Sequence, residues 1–199
     1  SKIENIRMTG TQMVAQGGQT MNMDVTTVQA LPDQYRAEIK TPRGKMVMMV
    51  DGDSGTQKMG GRSRTMPANQ VKRQKAQLWR DVAFLMANLD HDGLVVQDQG
   101  RKTVDGTTYR AFKVSPPVGD AYTLHVDPES MRPKQLSYTA QTREGPKEAR
   151  SVLKNYKKVS GVMIPHKTVT YRGGEKAAEV TIETVTINAD LSGDLFTER

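Results

Sequence analysis

Apolar and polar residues alternate along most of the chain. Near the start, Ile6 and Met8 alternate with Arg7 and Thr9, and the same period of two recurs as far as residue 187. Such alternation is typical of β-strands with one buried face. Short turn-forming segments such as Leu31-Pro32-Asp33 separate the runs. Connections this short predict successive antiparallel hairpins, because a parallel crossover needs a dozen or more residues.

The predicted strands lie on both sides of one helical segment. Three clear runs precede it, at 6–10, 21–26 and 35–40. Seven follow it, at 93–99, 107–114, 121–126, 134–142, 149–156, 163–171 and 177–187. With a further strand before the helix, the total is about ten or eleven. A strongly twisted antiparallel sheet of that size must curl or split, so the pattern predicts a half-barrel.

The segment 67–90 has helical spacing instead. Its apolar residues recur every three or four positions, at Val71, Leu78, Trp79, Val82, Leu85, Met86 and Leu89. A helix with one apolar stripe must cover an apolar surface, and the sheet is the only one large enough. We therefore predict an α+β, mostly β fold in which the curved sheet covers one long helix, with room for further short helices.

The pattern indicates a single domain over residues 1–199, because no repeat of fixed period and no low-complexity linker divides the chain. The last predicted strand has one irregularity. Val180 and Ile182 occupy even positions, whereas Val185 and Ile187 occupy odd ones. A β-bulge between Ile182 and Val185 would keep both halves facing the core. A sheet covered on both sides at one end would also explain the change.

The charge of the chain limits its partners. The net charge is +7, and the densest basic group is Lys72, Arg73 and Lys75 on the predicted helix. A basic surface attracts anionic lipid or nucleic acid weakly. However, no run of five basic residues occurs, and six Tyr, three Phe and one Trp offer little base stacking. We predict no nucleic-acid partner, and at most peripheral membrane contact, since the longest apolar runs, 46–50 and 82–87, fall far short of about 20 residues.

Residues capable of catalysis or metal binding are scattered. The chain has no cysteine, which excludes thiol catalysis, zinc sites built on Cys, and disulfides. His91, His125 and His166 are isolated, without a metal-binding spacing, and we expect His166 to be a partly exposed edge residue. Acid pairs and glycine pairs all fall in turn-like segments. The sequence therefore predicts no catalytic residue, no metal site and no cofactor.

Methionine is the most unusual component, with twelve residues. Met46 and Met48 share one strand face, and Met86 lies on the apolar side of the predicted helix. Methionine fills irregular gaps in cores and also lines surfaces that accept varied apolar partners. Ordinary core packing is one interpretation, and a cavity for an acyl chain is the other. For the second, the predicted lining residues are Met46, Met48, Trp79, Val82, Leu85 and Met86.

Two C-terminal segments resemble a known family. They are YTLHVDPESMRPKQLSYTAQT, from residue 122, and NYKKVSGVMIPHKTVTYRGGEKAAEVTIETVTINADLSGDLF, from residue 155. The shared features are the Asp127-Pro128 turn leading to Pro133, the pair Gly161-Val162, and a closing strand followed by Asn188. The chain is similar to outer-membrane lipoprotein-sorting domains of the LolA/LolB-like group, especially to versions found as tails on bacterial insulinase-type zinc peptidases.

The resemblance implies a half-barrel wrapped around helices, with an apolar cavity that in the carriers receives lipoprotein acyl chains. It implies a non-enzymatic domain in the periplasm or cell envelope that binds a lipid or lipoprotein acyl chain. An accessory module with a filled core, attached to an upstream peptidase domain, is the alternative.

The chain departs from the LolA/LolB-like pattern in its N-terminal region and at residue 57. The helix that usually precedes the first strand is missing, and the N-terminus lacks signal-peptide features. Both points lead us to expect a piece of a longer or exported chain. In addition, Gln57 stands where relatives often have tryptophan, so no role of that aromatic residue is carried over.

Overall fold

The computed structural model describes residues 3–16, 19–41, 44–142, 144–191 and 195–196. Within them the chain forms thirteen strands and two helices. The strands are β1 Asn5–Gln16, β2 Gln19–Ala30, β3 Gln34–Thr41, β4 Gly44–Asp51, β5 Ser54–Met59, β6 Arg62–Thr65, β7 Val95–Val104, β8 Thr107–Ser115, β9 Tyr122–Val126, β10 Pro133–Thr142, β11 Gly145–Val159, β12 Val162–Arg172 and β13 Glu175–Ile187. The helices are α1 Ala68–Leu78 and α2 Val82–Ala87.

All thirteen strands form one antiparallel sheet. Its order is β6-β5-β4-β3-β2-β1-β13-β12-β11-β10-β9-β8-β7. The first and last strands therefore pair in the middle, and β6 and β7 are the two edges. Helix α1 contacts β5 and helix α2 contacts β12, and five strands lie between β5 and β12 in the sheet. One short helical segment can reach both only because the sheet curves around it, which confirms the predicted half-barrel.

The sheet has more strands than the ten or eleven predicted. The short strands β5 and β6 account for the difference in the first half of the chain. Strand β6 is exposed along its whole length, so its sequence, RSRT, carries no apolar alternation. Pairing with β5 alone holds it in the sheet.

Asp81 divides the single helix predicted over 67–90 into α1 and α2. Its backbone is extended, with φ −74° and ψ 119°, and its Oδ1 accepts hydrogen bonds from the N–H groups of Ala83 at 2.8 Å and Phe84 at 3.3 Å. This is an N-cap. The apolar spacing continues across the break, so periodicity alone indicates one helix. Neither helix of the described chain is long and apolar enough to cross a bilayer.

The apolar side of the helical segment packs against both halves of the sheet. The main cluster joins helical residues to residues of β3, β4 and β8 to β11; among its members are Tyr35, Ala37, Val50, Leu78, Trp79, Val82, Phe84, Leu85, Val114, Leu124, Leu136 and Leu153. The hydroxyl of Tyr122 donates to the carbonyl of Trp79 at 2.5 Å. A second cluster of Ile6, Met8, Ala83 and Ile164 joins α2 to the centre of the sheet. The helices are thus anchored to strands from both halves of the half-barrel.

A β-bulge lies where the last strand changes phase. Thr9 pairs with Thr184 and Gly10 pairs with Ile182, which leaves one extra residue in β13. The predicted irregularity between Ile182 and Val185 is confirmed. The strands approach so closely here that a Cβ atom on Gly10 would lie 2.0 Å from the carbonyl oxygen of Thr181.

His166 is not the edge residue that the sequence suggested. It is only 5% exposed, because β12 lies between β11 and β13 in the interior of the sheet. Its Nδ1 is 3.0 Å from the carbonyl oxygen of Ile182, beside the bulge. A carbonyl can only accept, so this nitrogen carries the proton. His166 is therefore part of the interior structure around the bulge.

Candidate functional site

A cavity of about 850 Å³ lies between the concave face of the sheet and helix α1. Binding sites for small molecules typically enclose roughly 300–1,000 Å³. The walls come from β1 to β4, β10 to β13, both helices and the loop before β9. Because this cavity borders both the sheet and the helices, we treat it as the candidate site.

Alternating residues of adjacent strands form the sheet wall. Thr27 of β2 pairs with Met8 on one side and with Ala37 on the other, and Ala37 pairs with Met48. Side chains opposite each other in a ladder share one face, so these four line the cavity together. The wall continues with apolar and hydroxyl side chains, namely Val25, Tyr35, Ile39, Ser151, Leu153, Ile164, Thr168, Thr170, Val180 and Ile182. It is apolar with interspersed hydroxyl groups.

The helix wall is polar. The residues of α1 and the following turn that line the cavity are Asn69, Lys72, Arg73, Gln74, Ala76, Gln77, Leu78 and Arg80. Most of them recur at intervals of three or four, which places them on one helix face. Val71 lies away from the cavity in the apolar cluster, so α1 turns a basic face toward the sheet and its apolar stripe toward the core.

A buried polar contact closes one end of the cavity. Gln29, 1% exposed, donates from Nε2 to Oδ2 of Asp81 at 3.2 Å. Burial raises the pKa of the Asp81 carboxyl, although the hydrogen bonds from Phe84, Gln29 and Ala83 partly oppose this. Burial also raises the pKa of Tyr35, and the negative charge of Asp81 adds to the effect. Oε1 of Gln29 is buried without a hydrogen-bond partner in the described chain. Burial thus favours the uncharged form of the Asp81 carboxyl, whereas its hydrogen bonds favour the charged form.

A second, outer groove of about 700 Å³ has polar walls. It forms because the β7–β8 hairpin folds back over the outer face of the sheet, where Asp105 forms an ion pair with Arg150 of β11. The guanidinium group of Arg150 also lies 4.9 Å from the ring centre of Tyr171. Since two of its charged residues, Asp105 and Arg150, already pair with each other, the groove is the weaker candidate for a site.

The histidines do not form a metal site. His91 contacts Trp79, His125 lies on β9 and His166 on β12. Within the residues that the structure describes, no group of three His, Cys, Asp or Glu side chains could hold a metal ion.

His125 should make stability depend on pH. Burial, with the charge of Lys102, lowers the pKa of His125. Below about pH 6.5 the unfolded chain therefore binds a proton at His125 more readily than the folded chain does. Stability should fall as the pH drops through that range. We expect the decrease in melting temperature between about pH 7.5 and about pH 5.5 to be smaller in His125→Gln than in the wild type. His91→Gln is the control for removing a histidine, and an equal decrease in all three proteins would contradict the prediction.

Three solved structures are similar to this chain at low sequence identity. A LolA superfamily protein from Nitrosomonas europaea has a TM-score of 0.68 and 14% identity, with 98% of this chain and 90% of that chain covered. A domain from Vibrio parahaemolyticus, described as a candidate outer membrane lipoprotein-sorting protein, has a TM-score of 0.62 and 13% identity, covering 97% and 89%. The chain has the LolA fold. A DUF1329 family protein from Desulfovibrio piger shares it, with a TM-score of 0.65, 13% identity and coverage of 98% and 90%.

The LolA fold confirms the resemblance seen in the C-terminal segments. No family model matches the chain, and no curated protein sequence matches it. At 13–14% identity the likeness concerns the path of the backbone. The similarity to peptidase tail domains stays a prediction.

The six predicted lining residues lie in different environments in this structure. Met48 and Val82 line the cavity. Met46 lies on the same face of β4 as Met48, opposite Ile39. Trp79 and Leu85 are buried in the main apolar cluster, and Met86 is 45% exposed. The sequence thus identified the correct helical segment. However, Trp79 and Leu85 lie in the core behind the cavity wall and do not line the cavity themselves.

Several cavity residues were missed at the sequence level. The threonines Thr27, Thr168 and Thr170 line the cavity but were not among the predicted lining residues, because threonine is common in strands whether or not a cavity lies beside them. Lys72 and Arg73 stood out as a basic group, but nothing showed that they face the sheet. The available signal was their spacing with Arg80 along one helix face.

Proposed function

We propose that this domain binds an apolar ligand, a lipid or a lipoprotein acyl chain, in the cavity between the curved sheet and α1. It does so without catalysis, in the periplasm or cell envelope. The observation that carries the proposal is the open space of about 850 Å³ beside a largely apolar sheet wall. Each methylene group moved from water onto such a wall contributes about 0.8 kcal/mol. Of the predicted residues, Met48 and Val82 are proposed to contact the ligand, and the other four to support the walls.

The composition of the cavity suits a flexible chain. Met8 and Met48 are long, unbranched and polarizable, so they adapt to ligands of varied shape. Thr27, Thr168 and Thr170 carry a methyl group beside each hydroxyl, so they offer apolar contact as well. The similar structures support the proposal, because one is a LolA superfamily protein and another is described as an outer membrane lipoprotein-sorting protein. These descriptions also support the envelope location.

The alternative is an accessory module with a filled interior, attached to a peptidase. A filled interior holds few voids larger than a water molecule, whereas this cavity has about 850 Å³. The volume therefore favours a ligand-binding domain. An upstream peptidase domain is compatible with either role.

A bulky side chain placed in the cavity should abolish binding. Thr27 faces the cavity, so Thr27→Trp is expected to weaken the binding of a fluorescent fatty acid at least about tenfold, or about 1.4 kcal/mol. Thr26→Trp is the matched control, because Thr26 is the next residue of β2 and lies on the opposite face. Fluorescence titration measures the affinity, and circular dichroism checks that both variants fold.

The wild type is tested in the same way. Native mass spectrometry of the purified protein should show a copurifying lipid, and the fluorescent fatty acid should bind. If the wild type shows neither, the cavity binds no lipid and the proposal is wrong. If Thr26→Trp weakens binding as much as Thr27→Trp, the ligand lies elsewhere.

A further inference from the structure

The two walls of the cavity differ in chemistry, and this difference indicates the class of ligand. Building on the proposed function, we infer that the cavity takes an amphiphile with an anionic head group, a carboxylate or a phosphate. The tail lies along the sheet wall. The head group lies against the basic face of α1 and the turn after it, formed by Lys72, Arg73 and Arg80.

The basic residues line the cavity together. Lys72 and Arg73 lie about two helical turns before Arg80, with Ala76 and Gln77 between them, and all five line the cavity. Arg172 of β12 lines the cavity from the opposite side. Positive charges thus approach the space from both walls.

These positive charges are not neutralised within the described part of the protein. Lys72, Arg73, Arg80 and Arg172 form no ion pair there, although nine ion pairs occur elsewhere. Lys75 provides the comparison within the same helix. It does not line the cavity, and its Nζ lies 2.9 Å from Oδ1 of Asp53. The charges of Lys72, Arg73, Arg80 and Arg172 are therefore available to a ligand in the cavity.

The acidic residues of the cavity do not offset this charge. Asp81 has both carboxyl oxygens engaged, Oδ1 by the N–H groups of Ala83 and Phe84 and Oδ2 by Gln29. Asp120 lies in the exposed loop before β9. A cleft lined by charge of one sign, with walls of low polarity, concentrates ligands of the opposite sign.

Arg80 is the best placed of the three for a head group. Its guanidinium carbon lies 4.5 Å from the ring centre of Tyr138, and this stacking fixes the plane of the group. A guanidinium held in one plane presents paired N–H donors to a carboxylate or phosphate. Tyr138 itself lines the cavity, so these donors lie beside the sheet wall that would receive the tail.

The test compares ligands that share one tail and differ in the head group. Oleic acid, oleyl phosphate, oleyl alcohol and oleylamine compete with a neutral fluorescent probe at about pH 8, where the carboxylate is ionised. We expect the two anionic ligands to compete about tenfold better than the alcohol, and the amine to compete least. The preference should shrink in about 1 M salt, where charges more than roughly 3 Å apart are screened.

A charge-matched pair of variants locates the effect. In Lys72→Gln/Arg73→Gln/Arg80→Gln the anion preference should fall to about twofold. The control Lys154→Gln/Lys157→Gln/Lys158→Gln removes the same charge from exposed residues of β11 outside the cavity and should keep the preference. If the loss of Arg80 impairs folding, Lys72→Gln/Arg73→Gln should still lower the preference in part.

The outcomes separate this inference from the proposed function. Equal competition by all four ligands in the wild type overturns the head-group inference and leaves the proposed function standing. Failure of every ligand to bind overturns both. A preference that survives in the triple variant shows that α1 is not the head-group site.

The source of the anionic group is distinguished with vesicles. The protein is incubated with phosphatidylglycerol or phosphatidylcholine vesicles, and bound lipid is detected by native mass spectrometry. Extraction of phosphatidylglycerol alone supports a phospholipid head group as the natural ligand. Competition by oleic acid without extraction from either vesicle supports a free fatty acid. Equal extraction of both phospholipids contradicts the inference.

Discussion

Gly10→Ala should lower the free energy of unfolding by about 3 kcal/mol or more, an effect at the upper end of those measured for overpacking. The added Cβ would lie 2.0 Å from the carbonyl oxygen of Thr181 and 2.9 Å from the Cα of Ile182. Both atoms belong to the backbone of β13, so neither can rotate away. The strands must separate at the bulge, and the ladder in the middle of the sheet is disrupted. Chemical denaturation followed by circular dichroism measures the loss.

Gly60→Ala is a suitable comparison. Gly60 has φ +55°, but a Cβ there would meet nothing within 4 Å. We expect a loss of only about 1 kcal/mol, the usual cost of a left-handed conformation for alanine. If Gly10→Ala is no more harmful than Gly60→Ala, the strands at the bulge are free to move apart and the close approach does not matter for stability.

Asp81→Ala should lower the free energy of unfolding by about 3 kcal/mol, because it removes two kinds of contact. Loss of an N-cap costs roughly 0.5–2 kcal/mol, and here the cap serves Ala83 and Phe84. Loss of a partner for a buried polar group costs about 1–3 kcal/mol more, and Gln29 would lose its only hydrogen bond to a side chain in the described chain. Thermal and chemical denaturation measure the effect.

Asp81→Asn should be far less harmful. The amide oxygen can still accept from Ala83 and Phe84. Once the Gln29 amide flips by 180°, its Oε1, which lacks a partner in the wild type, can accept from the new amide nitrogen. The sign of the pH dependence follows from burial, which raises the pKa of Asp81. The wild type loses part of its stability as the pH rises above about 3.9, the value in the unfolded chain, and asparagine does not. The free energy of unfolding of Asp81→Asn, relative to that of the wild type, should therefore be higher at pH 7 than at pH 3. A variant as unstable as Asp81→Ala would show that the negative charge itself is needed.

The features that the sequence predicted correctly are those determined by neighbouring residues. Alternation identified the long strands, and the turn at Gly173-Gly174 joins β12 to β13 as expected. The change of phase after Ile182 indicated the bulge, because a strand can keep one face buried across a phase change only by adding a residue.

The features that the sequence did not predict depend on distant partners. The spacing of α1 shows that Val71 and Leu78 share a face, but it does not show what lies opposite Lys72 and Arg73. That depends on β2 and β12, whose residues are tens of positions away on either side. His166 looked like an edge residue for the same reason, since only the pairing of β12 with β11 and β13 shows that it is interior. The break between the helices at Asp81 left a weaker signal in the sequence. Aspartate is a common N-cap residue, but here it lies within a segment whose apolar spacing continues on both sides.

The pairing of β1 with β13 has a consequence for how the protein is made. The ribosome produces β1 first among the strands and β13 last, yet they become neighbours at the centre of the sheet. During synthesis, β1 to β6 can pair among themselves while β1 keeps one edge without a partner. The two halves of the sheet join only when β13 has emerged, and contacts so distant along the chain slow folding. Until then the cavity has only one of its two sides, so ligand binding must follow the pairing of β13 with β1.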